Sequence, residues 1–215
     1  MTFDVQTLAR MIDLSAVRAD VQLEEVRRLA DICRRYPCIC AFVMPCYMTE
    51  LVKLLEDAPD VDIGGVIGFP SAAESTTMKL AQTREHLDSG ATEIDMVINV
   101  GRLKSGEDGY VEDEIRAVVE AAGAIPVKTI LECHHLTQEE IFRASCLAAD
   151  AGVAFVKTGI GWAPTGATLE NVRWMKEAVE GRRWRPRPGY RPGVVSVGRH
   201  PIRIGSQAAC IADGR

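Results

Sequence analysis

Short runs of apolar, largely β-branched residues alternate with longer amphipathic stretches along most of this chain. The runs are CICAFVM (38–44), DIGGVIGF (62–69), TEIDMVINV (92–100), PVKTILE (126–132) and VAFVKTGI (153–160), with MIDLS (11–15) a shorter sixth. Near-continuous apolarity of this kind suits parallel strands covered on both faces. Between the runs the sequence predicts helices over roughly 21–36, 47–57, 73–89, 111–123, 137–151 and 168–180. Thr137 followed by Glu140 fits a capping box, in which hydroxyl and carboxylate satisfy free amides at a helix start. Gly90 and Gly152 stand where helices should stop, because glycine enters the left-handed region at little cost. Leu136, Ile141, Ala144, Leu147 and Ala148 recur at near-helical spacing and give one face to cover a sheet.

Strand and helix in turn, six times over with short connections, predict an α/β fold with a parallel sheet and right-handed crossovers. An open doubly wound sheet usually carries a glycine-rich phosphate fingerprint after its first strand, and no GxGxxG follows MIDLS or CICAFVM. Polar residues instead sit in or at the ends of several different strands: Asp13, Asp95, Lys128 and Lys157. A TIM (β/α)8 barrel builds its site in that way, from strand ends round one mouth. Six strands are two short of such a barrel, so strands seven and eight are expected to be atypical or incomplete.

With 215 residues, 47% hydrophobic and 26% charged, the chain suits one soluble domain with a substantial core. It has no run of about 18 uncharged apolar residues. Its start, MTFDVQTLARMID, has acids where a secretory signal needs a basic and then apolar run. These features predict a cytoplasmic protein with no membrane partner. A net charge of −5 with scattered basic residues gives no footprint for nucleic acid and favours small-molecule chemistry. Seven cysteines, an odd number, read as reduced thiols. Cys33, Cys38, Cys40 and Cys46 lack the paired CxxC of a zinc ribbon and read as small core residues.

Lys157 ends an apolar run that should be buried on both faces, and TGIG follows it. The glycines let backbone amides approach a ligand. A strand-end lysine usually snorkels to solvent. One held in a low-dielectric barrel beside another cation loses its proton more easily, and the neutral amine attacks carbonyl carbon to form an imine. Lys157 is therefore a candidate Schiff-base nucleophile. Asp95 and Lys128 lie on the two preceding strands, where an inward aspartate can move protons and an inward lysine adds positive charge. A salt bridge between those two is the simpler alternative. His134 and His135, adjacent after a strand, point in different directions and read as surface or helix-start residues.

The segments MIDLSAVRADVQLEEV, GATEIDMVINVGRLKSGE, VKTILECHHLTQEEI and AGVAFVKTGIGWAPTGAT closely resemble the deoxyribose-phosphate aldolase family, class I aldolases with a TIM barrel, over about residues 8–181. The resemblance implies reversible cleavage of 2-deoxy-D-ribose 5-phosphate to acetaldehyde and D-glyceraldehyde 3-phosphate, without metal or organic cofactor. It also implies Lys157 as the imine-forming lysine, Asp95 as the proton carrier and Lys128 as a further site lysine. Asp13 would stand beside the sugar hydroxyls, with Thr158 and Gly161 in the substrate-binding set. Its partners would be a small phosphorylated sugar and, in the assembly, a second copy as a homodimer. Another imine-forming lyase on the same barrel, or a non-catalytic barrel acting as an interaction protein, are the rival readings.

The chain departs from that family after residue 181. The family carries a second lysine followed by paired glycines there, whereas residues 182–215 hold eight arginines, no lysine and one acid. The body before it carries 17 basic and 29 acidic residues. The sequence thus divides into a barrel region, 1–181, and a basic, Pro/Arg-rich tail, 182–215, read as the product of a shifted reading frame or altered terminus. Only IRIGSQAA (202–209) resembles the usual last strand, near 202–206, and its phosphate loop, with Gly205 and Ser206 as binding residues. Ile160 and Trp162 stand where some relatives carry polar or basic phosphate contacts, and Trp162 is bulky enough to narrow a pocket.

Overall fold

The computed structural model describes residues 4–180, 193–198 and 208–212. Eight strands close into a barrel in sequence order. They are β1 (Ile12–Ala16), β2 (Cys40–Val43), β3 (Asp62–Ile67), β4 (Glu93–Val97), β5 (Val127–Ile130), β6 (Phe155–Lys157), β7 (Gly193–Gly198) and β8 (Ala208–Ala212). Each of the first six overlaps an apolar run read from the sequence. Neighbours from β1 to β7 pair parallel, whereas β8 runs antiparallel to both β7 and β1. The reversal has a simple cause. A parallel crossover needs a dozen or more residues, and residues 199–207 are too few. The last two strands are thus atypical, as six apolar runs predicted. Residues 202–206, with Gly205 and Ser206, lie outside the described residues.

The helices are α1 (Val5–Ala9), α2 (Leu23–Arg35), α3 (Met48–Leu54), α4 (Thr76–Asp88), α5 (Val100–Lys104), α6 (Asp108–Ala122), α7 (Gln138–Ala151) and α8 (Leu169–Glu180). The Thr137–Glu140 capping box is present at α7, and Gly152 ends that helix at φ 90°. Buried Ile141, Ala144 and Ala148 form the expected inner face. Strand β4 ends at Val97, three residues before the end of the apolar run 92–100. Asn99 turns the chain there, its side chain accepting from the Arg102 amide and capping α5.

Strand β4 shows why the runs read as continuous. Ile94 and Met96 face the helical layer, in the core that also contains Leu29, Leu51, Ile115 and Met175. Glu93, Asp95 and Val97 alternate with them and face the barrel interior. On β2 the same alternation sends Ala41 and Val43 outward and Cys40 and Phe42 inward, where Val17 and Val66 complete a small inner cluster. Gly64 makes that cluster fit: a Cβ there would lie 2.0 Å from Phe42 Cε1.

Candidate active site

The inward positions of four strands bring charged side chains together. Asp95 on β4 pairs in register with Lys128 on β5, and Ile130 on β5 pairs with Lys157 on β6. Asp13 comes from β1, on the opposite side of the ring. All four are buried. Lys157 Nζ donates to Asp95 Oδ2 at 2.5 Å and lies 3.9 Å from Asp13 Oδ2. Lys128 Nζ donates to that same Asp13 oxygen at 2.9 Å. The four polar positions singled out in the sequence therefore meet in one cluster, although the salt bridge made by Asp95 is with Lys157 rather than Lys128. The ring of Phe42 sits under both lysines, its centroid 5.0 Å from Lys157 Nζ and 5.8 Å from Lys128 Nζ.

Glu93, which the sequence reading missed, is a fifth member. It lies two residues before Asp95 on the same inward face and is 3% exposed. Its Oε1 is 2.7 Å from Lys128 Nζ. The contact is a buried ion pair. Burial pushes the Glu93 carboxyl up to about 7; the Lys128 charge opposes the rise, and Asp13 and Asp95 add to it. Burial also pulls on Lys128, toward the neutral amine. Glu93, Asp13 and Asp95 together outweigh it and hold the ammonium well above the usual lysine range. Oδ1 of Asp13 and Oδ1 of Asp95 are buried and accept no hydrogen bond among the described residues. A buried carboxylate oxygen without a donor is costly, so both are acceptors ready for a hydroxyl beside Lys157.

Beyond Lys157 the chain turns through Thr158, Gly159, Ile160 and Gly161. Thr158 is buried and its carbonyl accepts from the Cys133 amide at 2.8 Å, while Gly161 adopts φ 83°. Glu132, also missed, pins this turn. It is 5% exposed, sits at φ 55°, and its Oε2 accepts from the Ile160 amide at 3.3 Å. Left-handed backbone at a non-glycine residue costs about 1 kcal/mol or more and is typical of functional sites. At Gly159 a Cβ would lie 2.8 Å from Glu132 Oε1, so a side chain there would displace that carboxylate.

A cavity of about 730 Å³ opens at the mouth above this layer. Val97, Glu132, Ile160 and Trp162 contribute to its wall, with His134 and His135. Both histidines are exposed, as the sequence suggested, and His134 Nδ1 is 2.7 Å from Thr165 Oγ1. Trp162 packs edge-on against Phe69 at 5.2 Å across the mouth, which narrows it. Behind the barrel wall Lys79, fully buried, donates to the carbonyl of Val97 at 2.8 Å and to Glu114 Oε2 at 2.7 Å, fixing the end of β4 to α4 and α6.

Known proteins are similar to this chain in sequence and in fold. The family model described as DeoC/LacD family aldolase matches residues 2–198. A deoxyribose-phosphate aldolase of Sinorhizobium medicae is 48% identical over 174 residues, spanning 81% of this chain and 70% of its own. The Klebsiella pneumoniae protein of the same name is 43% identical over 176 residues, covering 81% of this chain and 71% of its own. Among solved structures, the tetrameric deoxyribose phosphate aldolase of Aeropyrum pernix superposes with a TM-score of 0.75 at 27% identity, over 83% of this chain and 75% of that one. No described helix is long and apolar enough to cross a membrane.

Proposed function

This chain belongs to the DeoC/LacD family of aldolases, and from that premise we propose that it is a class I aldolase reversibly cleaving 2-deoxy-D-ribose 5-phosphate to acetaldehyde and D-glyceraldehyde 3-phosphate. The observation that carries the reading is the Lys157 amine, buried inside the ring of strands and 2.5 Å from the Asp95 carboxylate. An amine so placed can pass its proton to the adjacent carboxylate and attack carbonyl carbon.

In this reading Lys157 Nζ adds to the aldehyde carbon of the open-chain sugar, giving a carbinolamine whose hydroxyl leaves as water once protonated by Asp95. The resulting protonated imine draws the electron pair of the bond between C2 and C3. As that bond breaks, the C3 hydroxyl loses its proton and C3 becomes the aldehyde of glyceraldehyde 3-phosphate. The enamine left on Lys157 takes a proton at C2, and water then releases acetaldehyde and the free amine. Oδ1 of Asp13 and Oδ1 of Asp95, which accept no hydrogen bond among the described residues, suit hydroxyls at C1 and C3. Lys128, flanked by Asp13 and Glu93, orders Asp13 in this scheme.

A different imine-forming lyase is the second reading, favoured by the Trp162–Phe69 pair that narrows the mouth. The homodimer expected from the resemblance remains part of the proposal, and light scattering tests it: a monomeric mass removes it. For the aldolase, the protein is treated with acetaldehyde and borohydride and digested. An ethyl group on Lys157, and none after Lys157→Met, is the expected result. Unmodified Lys157 in folded protein overturns the aldolase. Cleavage of deoxyribose 5-phosphate, read as released acetaldehyde, separates it from the second reading.

A further inference from the structure

Glu93 is a buried carboxylate of the barrel interior to which the reaction scheme gives no task. It holds Lys128 from one side at 2.7 Å while Asp13 holds it from the other at 2.9 Å. The same Asp13 oxygen lies 3.9 Å from Lys157. Asp13 is thus shared between two lysines. How much of its charge faces Lys157 depends on how much of the Lys128 ammonium another carboxylate takes up.

We propose that Glu93 is a positioning residue of the aldolase site: by taking up the Lys128 ammonium it leaves the Asp13 carboxylate turned to Lys157 and to the hydroxyl of the carbinolamine formed there. The inference rests on the aldolase reading and deepens it. The groups facing Glu93 among the described residues are Lys128 on β5, Asp13 on β1, Asp95 on its own strand and the Cys40 thiol on β2. The paired position on β3 is Gly64, which brings no side chain. From β6 come the Phe155 ring, 5.5 Å from Lys128 Nζ, and Lys157 beyond Asp13. Burial pushes the Glu93 carboxyl up to about 7. Below that pH Glu93 is neutral and, among the described residues, Asp13 is the charged carboxylate left paired with Lys128; above it, two carboxylates share Lys128 and Asp13 is released toward Lys157.

Glu93→Gln imitates the low-pH state at every pH. The test measures the rate of acetaldehyde trapping on Lys157 by borohydride in wild type and in Glu93→Gln, after thermal melts have shown both to be folded. The expected ratio of wild type to variant is close to one at about pH 5.5 and rises to about tenfold at about pH 8. Glu93→Asp, which keeps the carboxyl, restores the rise. A ratio that does not change with pH overturns this inference and leaves the aldolase standing. Absence of any adduct in the wild type overturns the aldolase reading, and this inference with it. If Glu93→Gln does not fold, carbon-13 carboxyl spectra of the wild type decide: an Asp13 resonance that shifts as Glu93 titrates supports the coupling, and one that stays fixed overturns it.

Discussion

Asp95 is the residue on which the proposed proton transfers turn, and its replacement isolates them. Asp95→Asn keeps the shape and removes the base, so kcat for deoxyribose 5-phosphate cleavage should fall by about 100-fold or more, measured by coupled release of glyceraldehyde 3-phosphate. Glu93 makes a separate prediction about stability. Its carboxyl titrates at about 7 in the fold against an ordinary 4.5, so the folded chain binds more protons than the unfolded chain between those values. Stability contributed by the protonated form is present below about 4.5 and is lost as pH rises toward about 7. Urea melts at about pH 5 and about pH 7.5 should therefore differ more in wild type than in Glu93→Gln, with wild type weaker at the higher pH. A lysine at a strand end and an aspartate inside another were visible as interruptions of apolar runs. Glu93 was equally interrupting, yet nothing in linear order says that it shares Lys128 with an acid 80 residues away. Glu132 was less legible still, because a left-handed non-glycine residue has no signature in composition.

At the scale of single elements the local signals were reliable where they were chemical. The capping box at α7 holds, with the Thr137 amide donating to Glu140 Oε2 at 2.8 Å and the Glu140 amide to Thr137 Oγ1 at 3.3 Å. Thr137→Ala should cost about 1 kcal/mol in a denaturant melt. Gly64→Ala should cost more, about 1–3 kcal/mol, since the new methyl falls within 2.0 Å of the Phe42 ring in a strand that cannot yield. A melt unchanged by that substitution would mean that the Phe42 ring rotates away. Element ends were less legible. The start of α6 at Asp108 lies three residues before the predicted 111, in the polar stretch SGEDGY, where no apolar period marks a helix.

For the whole molecule, closure of the barrel is the decisive feature, and it depends on β8. That strand bonds to β7 on one side and to β1 on the other, so it covers both edges left by a seven-strand sheet. Cys210 pairs with Ser196 and with Ile12. Cys210→Pro removes a backbone donor at the centre of that ladder and should lower the melting temperature and promote aggregation, seen by light scattering on heating. Retained solubility and an unchanged melt would show that the first seven strands are stable without this closure. The reversal of β8 also sets this barrel apart from an all-parallel (β/α)8 ring, a consequence of the nine residues between β7 and β8.

The sequence alone determined the alternation of strand and helix, the parallel order of the first six strands, the caps of α7 and the identity of the charged residues at strand ends. Each is a local or periodic property, fixed by propensity, burial on two faces and hydrogen bonding within a few residues. It took the closed ring to bring Lys157 to Asp95 rather than to solvent, to set Asp13 between two lysines, to add Glu93 to the cluster and to reverse β8. Those outcomes depend on which side chains a closed ring brings face to face across its interior, a distance in space that no spacing along the chain encodes.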